Sequence, residues 1–207
     1  VITAGPDGWV KFEDTNLRPG LKMFFIDIGQ GDATLIEVAG RRILIDGGPS
    51  THVKRYLKGW QYSYELNKPE DRIHIDVVVI THFDYDHFNG ITSLLKDKRI
   101  SIGKIYHNGI ARFHGTRARR PASYNSDLGK TGTNAAGEEL LHTSFNTLNS
   151  LIALRDQGGL MKSFERFADA CEAASNDNRL EGLKRLTDKD AHLPGFAEGS
   201  EAVIEVL

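Results

Sequence analysis

The sequence predicts an α/β protein, on three observations. Residues 21–28, 33–38 and 41–45 are apolar runs rich in β-formers, broken by Gly29-Gln30-Gly31-Asp32 and by the short turn Ala39-Gly40. That is the pattern of a β-meander forming an antiparallel edge. Ile75-Asp76-Val77-Val78-Val79-Ile80 is nearly continuous in β-branched residues, as in a strand buried on both faces between helical layers. Leu160, Phe164, Phe167 and Cys171 recur at helical spacing.

The remaining elements follow in order. Residues 1–20 are mixed and punctuated by Gly and Pro, and read as an arm. Asp46-Gly47-Gly48-Pro49 ends the third strand, and Ser50 is placed to cap a helix through Lys58, with Val53 and Leu57 on one face. Residues 59–71 read as a loop whose Trp60, Tyr62 and Tyr64 cover a core or stack bases. A helix is expected over 91–98 and a strand over 104–107. Residues 109–136 turn to Arg, Gly, Ser, Thr and Asn without periodicity, a long loop or insertion. Leu141, Phe145, Leu148 and Ile152 predict another helix, and a short one is expected over 179–186. Residues 201–207 alternate like a strand that ends without a partner, an aggregation liability if nothing covers it. The whole chain reads as one domain, with 109–200 as a loop and helical insertion.

Composition bounds the function only loosely. A length of 207 residues allows one domain with a real core, and 40% hydrophobic with 26% charged residues excludes wholesale disorder. A net charge of -2 neither demands nor excludes an anionic partner. One cysteine, Cys171, rules out an intrachain disulfide and fits a reducing compartment. On its apolar helix face it reads as a buried structural thiol. No apolar run is long enough to span a bilayer, and residues 1–14 lack a basic region followed by an apolar one. A cytoplasmic protein without membrane contact is the expectation. The first residue is Val1, which an upstream tag or a processed start would explain.

The chemistry concentrates in one place. His82, Asp84, Asp86 and His87 are four potential metal ligands within six positions, directly after the buried strand. Open α/β sheets place their sites in such loops. Imidazole with carboxylate suits Zn, Mn or Fe better than calcium. Alternation in an extended loop points His82 and Asp84 the same way, and a turn just beyond aims Asp86 and His87 at a second ion. Two metals about 3.5–4 Å apart can share a hydroxide and clamp both oxygens of a phosphodiester displacement. The plainer alternative is a polar loop that caps the next helix. Gly29-Gln30-Gly31 is too short for a dinucleotide fingerprint, and no helix follows it.

Thr81-His82-Phe83-Asp84-Tyr85-Asp86-His87 resembles the His-X-His-X-Asp-His signature of the metallo-β-lactamase superfamily, with Asp84 in place of the second histidine. Together with Phe25-Ile26-Asp27-Ile28-Gly29-Gln30-Gly31-Asp32-Ala33 and Ile43-Leu44-Ile45-Asp46-Gly47-Gly48, it is similar to the nuclease-like domain of the competence protein ComEC and its soluble relatives. Three separated motifs occur in the family's order across residues 21–107.

The resemblance implies part of a four-layer αβ/βα sandwich and two divalent ions, zinc or manganese. His82 and Asp84 would hold the first ion, and Asp86 and His87 the second. Asp86 and Asp46 are the carboxylates assigned to catalysis, Asp46 by buttressing the metal loop. Asp32 would sit at the mouth of the site, supporting a ligand, or serve a simple turn with Gly29 and Gly31. The implied reaction is metal-dependent hydrolysis of a phosphodiester, with nucleic acid as leading substrate and a metal-bound hydroxide as nucleophile. The superfamily also hydrolyses lactams, thioesters, lactones and phosphocholine esters, and fold does not choose among them.

The family's second half supplies a third histidine, a bridging aspartate and a last histidine. ComEC-like members carry there a Thr-Gly-Asp run and a His-His-Gly-Ser run, and neither occurs here. His142 and His192 match only by order: His142 lies beside an apolar helix face and His192 precedes Leu193-Pro194-Gly195. The chain therefore reads as the N-terminal portion of a dinuclear hydrolase, completed by a second polypeptide or a cleaved C-terminal segment. Without that complement it would be an inactive half-domain or a binding subunit. Arg112, Arg117, Arg119 and Arg120 are candidate phosphate contacts for nucleic acid; the same stretch also suits a trypsin-like protease or a solvated loop.

Overall fold

The computed structural model describes residues 20–206, so nearly all of the expected arm lies outside the described residues. Strands β1 (Leu21–Phe25), β2 (Thr34–Val38), β3 (Arg41–Ile45), β4 (Ile73–Ile80), β5 (Ile100–His107) and β8 (Leu180–Arg185) form one sheet in the order β1-β2-β3-β4-β5-β8. The first three are antiparallel, and β3, β4, β5 and β8 run parallel. Helices α1 (His52–Tyr56), α2 (Tyr85–Leu95), α3 (Leu148–Gln157) and α4 (Lys162–Asn176) cover one face. A small hairpin, β6 (Thr131–Thr133) with β7 (Glu139–Leu141), stands apart. The α/β expectation holds, and the described residues supply a sheet and its helical layer.

The two faces differ in cover. Leu35, Leu44, Val78 and Ile105 pack with Phe88 and Ile91 of α2 and with Phe164, Phe167 and Cys171 of α4. Burial pushes the Cys171 thiol well above its ordinary pKa, as expected of an inert structural cysteine. On the opposite face Ile43, Val77 and Tyr106 are covered by Leu193 and Phe196. Among the described residues that cover ends towards β1. Met23 lies in line with Ile36 and Ile43 across the sheet, yet Leu21, Met23 and Phe25 are 55, 48 and 78% exposed.

Several expectations are corrected. The terminal residues form no free strand: Leu193 N–H donates to Ile204 O (2.8 Å) and Val206 N–H to Ala191 O (3.0 Å). The segment folds back onto 191–196 and helps to close the second core. Within 179–186, Leu180–Arg185 is strand β8 rather than a helix, because the edge of β5 offers a parallel ladder from Ile102 to His107. The helix expected from Leu141 begins only at Leu148, where Thr147 and Ser150 form a reciprocal capping box. Leu141 belongs to β7, and Phe145 is buried ahead of the helix. Residues 109–136 are the long loop expected, tied in by the Phe113–Leu160 bridge and by β6.

Helix α1 starts at His52, with Thr51 at its cap making no side-chain bond, and Ser50 Oγ instead meets His52 Nδ1 at 2.6 Å. It runs on as a π-helical turn, Leu57–Gln61. Tyr62 is buried, donates to Glu37 (2.7 Å) and lies under the Arg42 guanidinium, so it is no base-stacking platform. Trp60 and Tyr64 remain exposed.

Candidate metal centre

The motif sits where β4 gives way to α2. The helix expected from residue 91 begins at Tyr85, so Asp86 and His87 lie in its first turn rather than in an extended loop. An acidic residue there is favoured by the helix dipole. Asp84 occupies the cap position with extended backbone, and its side chain makes no capping bond. That carboxylate is turned outward instead. The helix is fastened to the end of β3 by backbone bonds from Gly47 N–H to His87 O and from Gly90 N–H to Gly48 O, both 2.7 Å. A Cβ on Gly90 would collide with the Gly47 carbonyl, which explains a glycine inside this helix.

Asp46 organises the site. It is 2% exposed and has φ +56. Its Oδ1 accepts Thr81 N–H at 2.9 Å, while Oδ2 accepts the Thr81 hydroxyl at 2.6 Å and meets His87 Nδ1 at 2.9 Å. Beside the carboxylate, His87 Nδ1 is the protonated nitrogen, which leaves the Nε2 lone pair free. Thr81 has one hydroxyl proton and gives it to Asp46. Its oxygen, 3.0 Å from His82 Nδ1, is therefore the acceptor there. Both imidazoles are thus held with Nδ1 protonated and Nε2 bare. Their ring centroids are 3.9 Å apart. One buried carboxylate fixes two tautomers, the arrangement by which carboxylates orient metal-bound histidines.

The other candidates take the following places. His82 Nε2 is 3.7 Å from Asp84 Oδ2, and Asp84 Oδ1 pairs with Arg112 Nη2 at 3.1 Å. Asp86 Oδ2 accepts from the Gln30 amide at 3.3 Å. Asp32 is exposed and makes no hydrogen bond or ion pair among the described residues. Gly29 and Gly31 have φ +81 and +87, and a Cβ on Gly31 would strike the Asp86 backbone carbonyl. The 29–31 turn therefore packs directly on the metal loop. His142 stands beside Gly132 of the β6–β7 hairpin and His192 at the terminal bridge to Glu205. Arg117 and Arg119 are exposed on a single helical turn, and Arg120 is half-buried.

Three contributors carry no role of their own in the sequence reading. Thr81 enters it only as part of the motif. Asn108 donates to Thr81 O at 3.0 Å and braces the loop from β5. Gln30 is visible only as the residue between two glycines. A cavity of about 400 Å³ opens at this end of the sheet, lined by Ile80, Thr81, His107, Asn108 and Leu186.

The donors fit a divalent transition metal in kind: two imidazoles with bare Nε2 atoms, and carboxylates beside them. In number they fall short, for among the described residues no three His, Cys, Asp or Glu side chains converge as a metal-binding group. No described helix is long and apolar enough to cross a membrane.

No curated protein sequence matches the chain. Among solved structures it is similar to the crystal structure of the hydrolase AbOPH, in the beta-lactamase superfamily, at 17% identity and a TM-score of 0.34. That similarity covers 80% of this chain and 45% of the other, so the chain spans less than half of that protein's length. The family model described as Metallo-beta-lactamase superfamily matches residues 26–151. This is more than half of the chain and includes Asp46 and the whole of 81–87. The chain belongs to the metallo-beta-lactamase superfamily.

Proposed function

We propose that this chain carries the metal-binding portion of a metal-dependent hydrolase, of the ComEC-like branch, that cleaves phosphodiesters in nucleic acid. The observation that carries the reading is the double tautomer clamp, in which Asp46 holds His87 directly and His82 through Thr81. A polar loop that merely capped α2 would have no use for two imidazoles held with Nε2 bare. His82 and Asp84 would hold one ion, and Asp86 and His87 a second, zinc or manganese. Ions so placed supply an activated water and Lewis acidity. The chain's own residues orient the ligands: Asp46 and Thr81 fix the imidazoles, and Gln30 holds Asp86.

Catalytic zinc sites have three protein ligands and an open position. The loop offers two ligands per ion, so the remainder is assigned to a further polypeptide segment. The exposed Leu21, Met23 and Phe25 on the thinly covered face give such a segment an apolar seat. Until it docks, the chain acts as an inactive half-domain. Nucleic acid is favoured by the Asp variant of the motif and by the exposed Arg117 and Arg119.

The test is a substrate panel of single- and double-stranded DNA, RNA, a phosphocholine ester and a lactone. Each is assayed with Mn²⁺ or Zn²⁺ on the chain alone and on the longest polypeptide that carries it. Metal-dependent cleavage of nucleic acid, lost in His82→Ala and Asp86→Ala, is the expected result. Preference for the lactone or phosphocholine ester would replace the substrate assignment. Full activity of the monomeric chain alone would remove the need for a complement.

A further inference from the structure

Arg112 contacts the metal loop from a part of the chain with no motif of its own. It lies between Ala111 and Phe113, both buried in the main core at 0 and 2% exposure. The backbone there is fixed: Phe113 N–H donates to Asp127 O (2.7 Å), Met161 N–H to Arg112 O (2.9 Å) and His114 N–H to Gly159 O (2.9 Å). With its neighbours pointing into the core, Arg112 points the other way. Its Nη2 stands 3.1 Å from Asp84 Oδ1 and 4.0 Å from Asp127 Oδ2. Asp84 is thereby divided, with Oδ1 on the guanidinium and Oδ2 facing His82 Nε2.

We infer that Arg112 is the positioning residue for Asp84, holding the carboxylate so that Oδ2 alone is offered to the metal shared with His82. The inference rests on the reading of this loop as a metal centre. Arg112 does for the carboxylate what Asp46 does for the imidazoles. It also ties the loop after β5 to the site, so that residues 109–127 take part in the centre rather than decorate it. Asp84 is about half exposed, at 49%, and exposed ion pairs contribute little to folding. Removing the guanidinium therefore leaves stability nearly unchanged while releasing Asp84 to rotate or to chelate through both oxygens. This also separates Arg112 from Arg117, Arg119 and Arg120, which do not touch the loop ligands and keep the proposed role of phosphate contacts.

The experiment is calorimetric titration of Zn²⁺ and optical titration of Co²⁺ into the folded chain, for wild type, Arg112→Ala and Arg112→Lys. Thermal melts of each protein accompany the titrations. The expected result for Arg112→Ala is a roughly 10–100-fold weaker metal affinity, an altered Co²⁺ d–d spectrum and an unchanged melting temperature. Arg112→Lys, which keeps the charge but loses the fork, should recover part of both. Unchanged or tighter metal binding in Arg112→Ala, with the wild-type spectrum, overturns the inference and leaves the metal centre standing. Absence of metal binding in wild type as well counts against the metal centre itself, and the inference falls with it.

Discussion

The substitution Asp46→Asn reverses the clamp while hardly changing its shape. Asparagine tolerates the left-handed backbone that Asp46 adopts at φ +56, so the end of β3 is kept. With its carbonyl oxygen in the place of Oδ1, the new side chain still accepts Thr81 N–H. An amide NH₂ now stands where Oδ2 received both Thr81 Oγ1 and His87 Nδ1. A donor there forces both partners to become acceptors. His87 Nδ1 must give up its proton to Nε2. Thr81 must turn its hydroxyl proton towards His82 Nδ1, which moves the His82 proton to Nε2 as well. Each imidazole then shows an N–H where a metal needs a lone pair. Three charge-assisted bonds become neutral ones, and at about 1 kcal/mol apiece the fold loses roughly 3 kcal/mol. Metal affinity should fall about 100-fold. Nitrogen-15 spectra of the imidazole rings read the tautomers, urea denaturation the stability and calorimetry the affinity. Unchanged tautomers with affinity within a factor of about two of wild type, against the loss expected from an altered ligand support, would refute the clamp.

Other outcomes follow from single contacts. Burial pushes the His107 imidazole down to about 3, with the Arg185 charge adding to the effect. Between pH 6.5 and 3 the unfolded chain therefore binds a proton that the folded one refuses. Stability therefore falls as the pH is lowered through that window, by up to about 1.4 kcal/mol per unit, with no such slope above about 6.5. In His107→Phe this contribution vanishes, so the gap to wild type in urea denaturation should shrink from about pH 7 to about pH 4.5; a constant gap would contradict the assignment. Gly90→Ala should destabilise by about 1–3 kcal/mol, although alanine favours helix by about 1 kcal/mol, because its Cβ meets the Gly47 carbonyl; a raised melting temperature would show that the β3–α2 approach can relax. Arg117→Ala with Arg119→Ala should weaken nucleic-acid binding and lower its logarithmic salt slope by about 2, whereas an unchanged slope would return both residues to the solvated surface.

The parts of the fold legible in the sequence are those where one period dominates. The β-branched run of β4, the meander of β1 to β3 and the apolar face of α4 each admit one reading, and the structure follows them. Leu180 and Leu183 are three apart, a spacing that a short helix and a twisted edge strand share, and the free edge of β5 decides for the strand. The run from Leu141 to Ile152 has helical spacing throughout, yet Thr147 and Ser150 cap it in the middle, and a local cap overrides a weak periodicity. Within the site, the ligand types and their crowding are visible in the sequence, and the resemblance supplies the role of Asp46. The onset of α2 inside the motif is hidden by the cap position of Asp84, whose extended backbone mimics a loop. Thr81, Asn108 and Gln30 act through contacts across the fold that leave no local pattern. For Arg112 the alternation of Ala111 and Phe113 around a charge is a usable signal, though it names a face and no partner.

The metal centre itself is tested most directly by the metal content of the purified chain, measured by elemental analysis beside His82→Ala and His87→Ala. Divalent metal retained by the wild type and lost from both variants is the predicted result. Absence of metal after loading with Zn²⁺ or Mn²⁺, both in the chain alone and in the longest polypeptide that carries it, or variants that hold as much as the wild type, would contradict it.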